Sequence, residues 1–199
     1  AVADFGHRRL LLVTDAVIAR MGLMAPLTDA LRAAGTPFVV FDAITADAPI
    51  PLIEQGIELF RSEGCDAVIA FGGGSVMDAA KVIALAAAND KHPRELAGYF
   101  RGLHAPPPIY AVPTTAGTGS EVTVAALISD PAAGRKFMVA DTRIVPDMAA
   151  LDPTLMLALP AAVTAASNMA ASDTPGTSVG YCMARNRPAW ARCQGAMAR

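Results

Sequence analysis

Cysteine is scarce in this chain and forms no pattern. Cys65, Cys182 and Cys193 stand at neither metal-ligand nor redox spacing, and the odd count argues against a secreted disulfide framework. A reducing cytoplasm is the compartment that fits. Histidine is equally thin: His7, His92 and His104 fall in loops without mutual ligand spacing, which reads as surface rather than catalysis. There is no basic stripe, and the formal net charge of −2 argues against a nucleic-acid surface. No charged-then-apolar leader is visible, so no secretory signal is expected; Ala1 in place of methionine points to a processed or trimmed start. No internal repeat is found. A clean membrane span is also missing. Residues 67–88 are almost uncharged, but three glycines, Asp78 and Lys81 interrupt them, which favours a buried strand followed by a helix and no membrane partner.

A length of 199 residues leaves room for one α/β domain, or one domain plus a fragment of another. A compact domain of that size buries roughly 70% of its unfolded surface and needs no disulfide staples. Within it, short apolar runs alternate with helical stretches. Leu10-Leu11-Leu12-Val13 precedes the cap-like pair Thr14-Asp15 and a helix to Ala34, which Gly35 ends. Pro37 to Phe41 reads as a second strand, Ile50 to Glu63 as a helix, and Ala67-Val68-Ile69-Ala70 as a third strand. The following helix runs to about Ala88. Strands apolar throughout, separated by helices, predict an open, mostly parallel sheet with helices on both faces. Residues 89–108 read as a polar, proline-rich connection before a fourth strand, Ile109 to Val112. Strand-like segments at 122–129 and 136–140 flank Asp130-Pro131-Ala132-Ala133-Gly134, a hairpin turn. Helix is expected from Asp152-Pro153 to about Ala171.

The segment most suggestive of chemistry is Phe71-Gly72-Gly73-Gly74-Ser75-Val76-Met77-Asp78-Ala79-Ala80-Lys81, directly after the third strand. Three glycines leave no side chains at the turn, so a ligand can approach the backbone. The helix behind offers unpaired N–H groups and partial positive charge, which suits a pyrophosphate. Ser75 is expected as N-cap, with Asp78 as its capping-box partner. The glycines could instead serve tight strand–helix packing, and they do not match Gly-x-Gly-x-x-Gly. The loop Pro113-Thr114-Thr115-Ala116-Gly117-Thr118-Gly119-Ser120-Glu121 places hydroxyls at the carboxyl end of the fourth strand, where open sheets bind ligands. Asp42, at the end of the second strand, could hold an adenosine ribose, favouring NAD over NADP, or be a cap or solvated acid. Lys136 could reach a cofactor phosphate or carboxamide, or lie on the surface.

Together these two motifs, continued by Val122-Thr123, resemble the iron-containing (group III) alcohol dehydrogenases. Leu151-Asp152-Pro153, Leu159-Pro160 and Thr164-Ala165-Ala166 match the family pattern as well, so the resemblance covers roughly residues 8–169. It implies a dehydroquinate synthase-like N-terminal NAD(P)-binding domain at 1–151 and the start of a helical domain at 152–171, with the active site in the cleft between domains. Gly73, Gly74 and Ser75, with Asp78 in the same motif, would hold the pyrophosphate. Thr114, Thr115, Thr118 and Thr123 would line the cofactor, with Asp42 and Lys136 at its two ends. Where the family usually has Asn-Pro-Thr, this chain has Asp47-Ala48-Pro49.

The family implies hydride transfer between a small alcohol and its aldehyde or ketone, with Fe²⁺ or Zn²⁺ polarising the alcohol oxygen. The expected aspartate and histidine ligands fall where this chain reads Ala170-Ala171-Ser172-Asp173-Thr174. Metal binding is therefore not expected here, and the chain alone is expected to be inactive. The alternative function is a non-catalytic, truncated nucleotide-binding or interaction module, which could self-associate through an uncovered domain interface. Residues 172–199 have four arginines, no lysine and no glutamate, and are expected to be a poorly ordered, aberrant tail. Suitable codons for Ser172 to Pro175, read one base later, encode Leu-Thr-His. A frameshift near residue 170 would account for both the missing ligands and the tail.

Overall fold

The computed structural model describes residues 5–157 and 182–184. β1 (Leu10–Val13) leads through α1 (Ala16–Met21) and α2 (Ala25–Ala33) to β2 (Phe38–Phe41). α3 (Ile50–Ser62), β3 (Ala67–Gly72), α4 (Gly74–Asn89), β4 (Gly98–Tyr99) and β5 (Ile109–Pro113) follow. Next come β6 (Ala125–Asp130), β7 (Arg135–Ala140), β8 (Met148–Ala150), α5 (Thr154–Leu157) and β9 (Cys182–Ala184).

The main sheet has the order β2-β1-β3-β5-β8-β9. Its first five strands are parallel, and β9 runs antiparallel to β8. The strand alternation sorts the core into two layers. Leu10, Leu12, Ile69 and Tyr110 pack with Ile18 and Leu31 of α1 and α2 on one face. Leu11, Val13, Val68, Ala70, Ile109 and Ala111 pack with α3 and α4 on the other. Both faces are covered, so β1 is fully buried along its length. Each large apolar side chain so buried contributes about 1.5–3 kcal/mol. α4 is apolar nearly all round and buried from Ala79 to Ala86, as a central helix requires. Since β2 and β3 lie on opposite sides of β1, the carboxyl ends of β1 and β3 form a topological switch point.

Three local expectations are corrected, and one strand, β8, was not foreseen. The first helix is two: Gly22 closes α1 in the left-handed conformation at φ 70°, and a proline sits in the first turn of α2. The 89–108 connection contains a 3-10 turn, Pro93–Leu96, and strand β4. The hairpin's first strand begins at Ala125, because residues 122–124 remain in the loop that follows the Val122 N–H to Gly119 carbonyl turn. β8 has only three residues, too few to show a period; the Asp147 carboxylate docks the chain beside it by accepting the Ile109 N–H at 3.0 Å. The hairpin itself forms as expected, with β6 and β7 antiparallel in full register. With β4 they make a second, three-stranded sheet. The helix expected to reach Ala171 and the tail at 172–199 lie outside the described residues, apart from 182–184.

Candidate cofactor groove

The glycine turn is tight because of space, not dihedral angle. None of Gly72, Gly73 and Gly74 has positive φ. A Cβ on Gly72 would lie 2.7 Å from Val76 Cβ; one on Gly73 would lie 3.1 Å from Thr115 Oγ1, and one on Gly74 3.2 Å from Thr118 Cγ2. The packing reading and the ligand reading therefore meet in one place: the turn is bare where the threonine loop stands against it.

The expected capping box does not form. α4 starts two residues early, with Gly73 as N-cap and no side chain on its first N–H groups. Ser75 thus lies inside the helix, where its Oγ accepts the Asp47 N–H at 3.1 Å. Asp78 turns outward, accepting from Ser120 Oγ at 2.6 Å and from the Leu127 N–H at 2.9 Å. An uncapped start to a 16-residue helix is electrostatically suited to an anion.

In front of this turn lies a groove of about 410 Å³. Gly74, Ser75 and Asp78 of α4 line it, with Thr118, Ser120 and Thr123 of the loop, Ala125, Leu127 and Lys136 of the hairpin, and Asp47. Six of the ten sequence-derived candidates are thus brought together: Gly74, Ser75, Asp78, Thr118, Thr123 and Lys136. Four are not in the lining. Gly73 abuts Thr115; Thr114 is buried, its N–H extending the ladder to the Gly72 carbonyl at 3.0 Å; Asp42 is exposed at the end of β2. A depression of about 450 Å³ at the far end of α4 is larger, and four of its lining side chains are paired, His92 with Glu54 at 2.8 Å and Arg61 with Asp90 at 2.9 Å.

The sequence reading missed three features. Asp47 closes one side of the groove, its carboxylate 2.6 Å from Lys136 Nζ, across 89 residues of chain that leave no local signal. Lys81 is 0% exposed, and burial pushes its amine down to about 8 against the opposing attraction of Asp78 and Glu121. Its signal was present: Lys81 is the one charge between Asp78 and Asp90 on an otherwise apolar helix. Thr14, read as half of a cap pair, ends β1; Asp15 alone caps α1, accepting from the Val17 and Ile18 N–H groups. Among the described residues, the buried hydroxyls of Thr14 and Thr115 have no hydrogen-bond partner. They lie just past the carboxyl ends of β1 and β5, on either side of β3. Bare glycines, an uncapped helix start and unpaired hydroxyls fit a dinucleotide.

Comparison with known proteins agrees. The family model for iron-containing alcohol dehydrogenase matches residues 1–153. The chain is 38% identical to the NAD-dependent methanol dehydrogenase of Bacillus methanolicus over 166 residues, covering 83% of this chain and 44% of that protein. It is 34% identical to lactaldehyde reductase of Escherichia coli K12, covering 82% and 44%. Among solved structures, 1,3-propanediol oxidoreductase superposes with a TM-score of 0.80 at 36% identity, covering 83% and 44%. The alcohol dehydrogenase from Oenococcus oeni gives 0.80 at 34%, covering 84% and 44%. The chain belongs to the iron-containing alcohol dehydrogenase family and has the α/β fold of its N-terminal domain. It spans less than half the length of these relatives. Among the described residues no helix is long and apolar enough to cross a membrane. The metal expectation concerns residues 170–174, outside the described residues.

Proposed function

We propose that this chain is the NAD(P)-binding part of a metal-dependent alcohol dehydrogenase, and that by itself it binds the dinucleotide without turning over an alcohol. The observation that carries the reading is the uncapped start of α4 opening into a groove walled by the threonine loop. Gly73, Gly74 and Ser75 take the pyrophosphate on backbone N–H groups. Thr114, Thr115, Thr118 and Thr123 lie along the cofactor. Lys136 meets a phosphate or the carboxamide, and Asp42 the adenosine ribose, which favours NAD over NADP. In a complete family member the metal supplies Lewis-acid polarisation of the alcohol oxygen. This chain's residues supply binding and orientation of the hydride carrier.

The second reading, a non-catalytic nucleotide-binding or interaction module in the cytoplasm, is favoured by one sequence observation. Ala170-Ala171-Ser172-Asp173-Thr174 offers neither expected ligand of the family's pair at its place. Exposed Val122 and Val124 beside the groove, with Leu127 in its lining, support self-association through a surface that a helical domain would cover. The two readings separate on one preparation. Stoichiometric iron or zinc and NADH formation from short alcohols would establish an enzyme. NAD-dependent thermal stabilisation without either is the result expected here. No stabilisation at saturating NAD would overturn dinucleotide binding in either reading and leave only the interaction module.

A further inference from the structure

Lys81 stands behind the wall of the groove, not in it. With 0% exposure it touches no ligand, yet its Nζ is 3.1 Å from Ser120 Oγ, 3.0 Å from the Thr123 carbonyl, 3.1 Å from Thr123 Oγ1 and 3.0 Å from the Ala125 carbonyl. An ammonium has three protons, so four acceptors at these distances use every donor. Ser120, Thr123 and Ala125 are all lining residues. Ser120 passes the connection on: its hydroxyl accepts from Lys81 and donates to Asp78 at 2.6 Å, and Asp78 accepts the Leu127 N–H at 2.9 Å. Two residues one helical turn apart thus hold six hydrogen bonds, at Ser120, Thr123, Ala125 and Leu127, along the stretch where the loop becomes β6. A buried charge without partners is expensive, so this geometry is held only while the loop supplies its oxygens.

We propose that Lys81 is a positioning residue that sets dinucleotide affinity by clamping the 120–127 segment to α4, so that the threonine loop is shaped before the cofactor arrives. The inference rests on the groove being the dinucleotide site. A neutral amine keeps two donors and turns a lone pair toward a carbonyl, so the clamp weakens on deprotonation. The charged groups facing Lys81 are Asp78 on its own helix and Glu121 on the loop, with Lys136 and Asp47 across the groove.

The test uses the full chain, titrated with NADH by fluorescence at pH 7 and pH 9, with amide hydrogen exchange on the unliganded protein. Lys81→Met is expected to weaken NADH binding about tenfold or more, the loss expected when hydrogen bonds to a charged group go. It should speed exchange across 120–127 ahead of the sheet strands. Wild-type affinity should fall from pH 7 to pH 9 while that of Lys81→Met stays flat, and Lys81→Arg should retain more affinity than Lys81→Met. If Lys81→Met does not fold, Ser120→Ala, which removes the relay and leaves the ammonium, is expected to give a smaller loss with the same local exchange change. Unchanged NADH affinity, pH profile and exchange in the variants would overturn the clamp. A wild type that binds no NADH but shows the exchange difference would overturn the groove assignment and its effect on affinity, while leaving the clamp as a loop-ordering device.

Discussion

At Gly73 and Gly74 the missing side chains matter because of what stands opposite them. Thr115 and Thr118 approach within ordinary contact of the bare backbone, so a methyl group there would press on the loop that walls the groove. Gly73→Ala is therefore expected to weaken NADH binding about tenfold, near 1.4 kcal/mol, with the folded state otherwise kept, as a titration beside a thermal melt would show. Asp78 makes a different point. Placed by its motif near the pyrophosphate, it has one oxygen on Ser120 and the other on the Leu127 N–H, which leaves it bracing the loop. Asp78→Ala removes the acceptor from a hydroxyl and an amide and should cost about 1–3 kcal/mol of stability, read by denaturant unfolding. Lys81 belongs with it: one acid and one base on α4 grip the same segment.

Among the elements, α3 and α4 pack closely at Gly56. Gly56 of α3 leaves space that Ile83 of α4 fills; a Cβ there would lie 2.4 Å from Ile83 Cδ1 and 3.2 Å from Phe41 Cε1. Alanine gains about 1 kcal/mol of helix propensity over glycine, but overpacking costs about 1–3 kcal/mol. With two neighbours in the way the clash wins, and Gly56→Ala should lower the melting temperature, whereas a rise would show that Ile83 can turn aside. Elements of this kind were the part most legible in advance. β1, β3 and α4 declared themselves because strands buried on both faces must be apolar throughout and a central helix nearly so. α1 and α2 were merged because the pattern of apolar residues continues across Gly22, and only its left-handed backbone reveals the break. The glycine turn and threonine loop were legible as motifs, but the roles within them were not. Capping by Ser75 failed on a shift of two residues in the helix start. The Asp47–Lys136 pair and the Lys81 contacts depend on which distant segments the sheet brings side by side.

At the scale of the whole molecule, ion pairs and burial among the described residues build in both acidic and alkaline dependences. Asp130, beside Arg94 at 2.6 Å, and Asp141, beside Arg143 at 2.6 Å, are held below the ordinary carboxylate value of 3.8 by their guanidinium partners. A depressed carboxyl contributes stability that is present above 3.8 and lost as pH falls through its folded value, so acid unfolding should begin below pH 4. Substituting Arg94 by alanine should move that onset to higher pH. On the alkaline side, burial pushes the Cys65 thiol up to about 11 and the Tyr110 phenol up to about 12. The unfolded chain releases those protons first, from pH 9 for the thiol and pH 10 for the phenol. Lys81, held down at about 8 in the fold, opposes the thiol up to 10.5, so stability should fall only above about pH 10 in a pH series of melts. On the proposed function, this scaffold holds a dinucleotide at the carboxyl ends of β1 and β3. The most direct measurement is a calorimetric titration of the folded 199-residue chain with NADH. The account predicts saturable binding at one site per chain, weakened by Gly73→Ala and Lys81→Met. A folded chain that releases no heat of binding with NADH or NAD, with no change on either substitution, would contradict it.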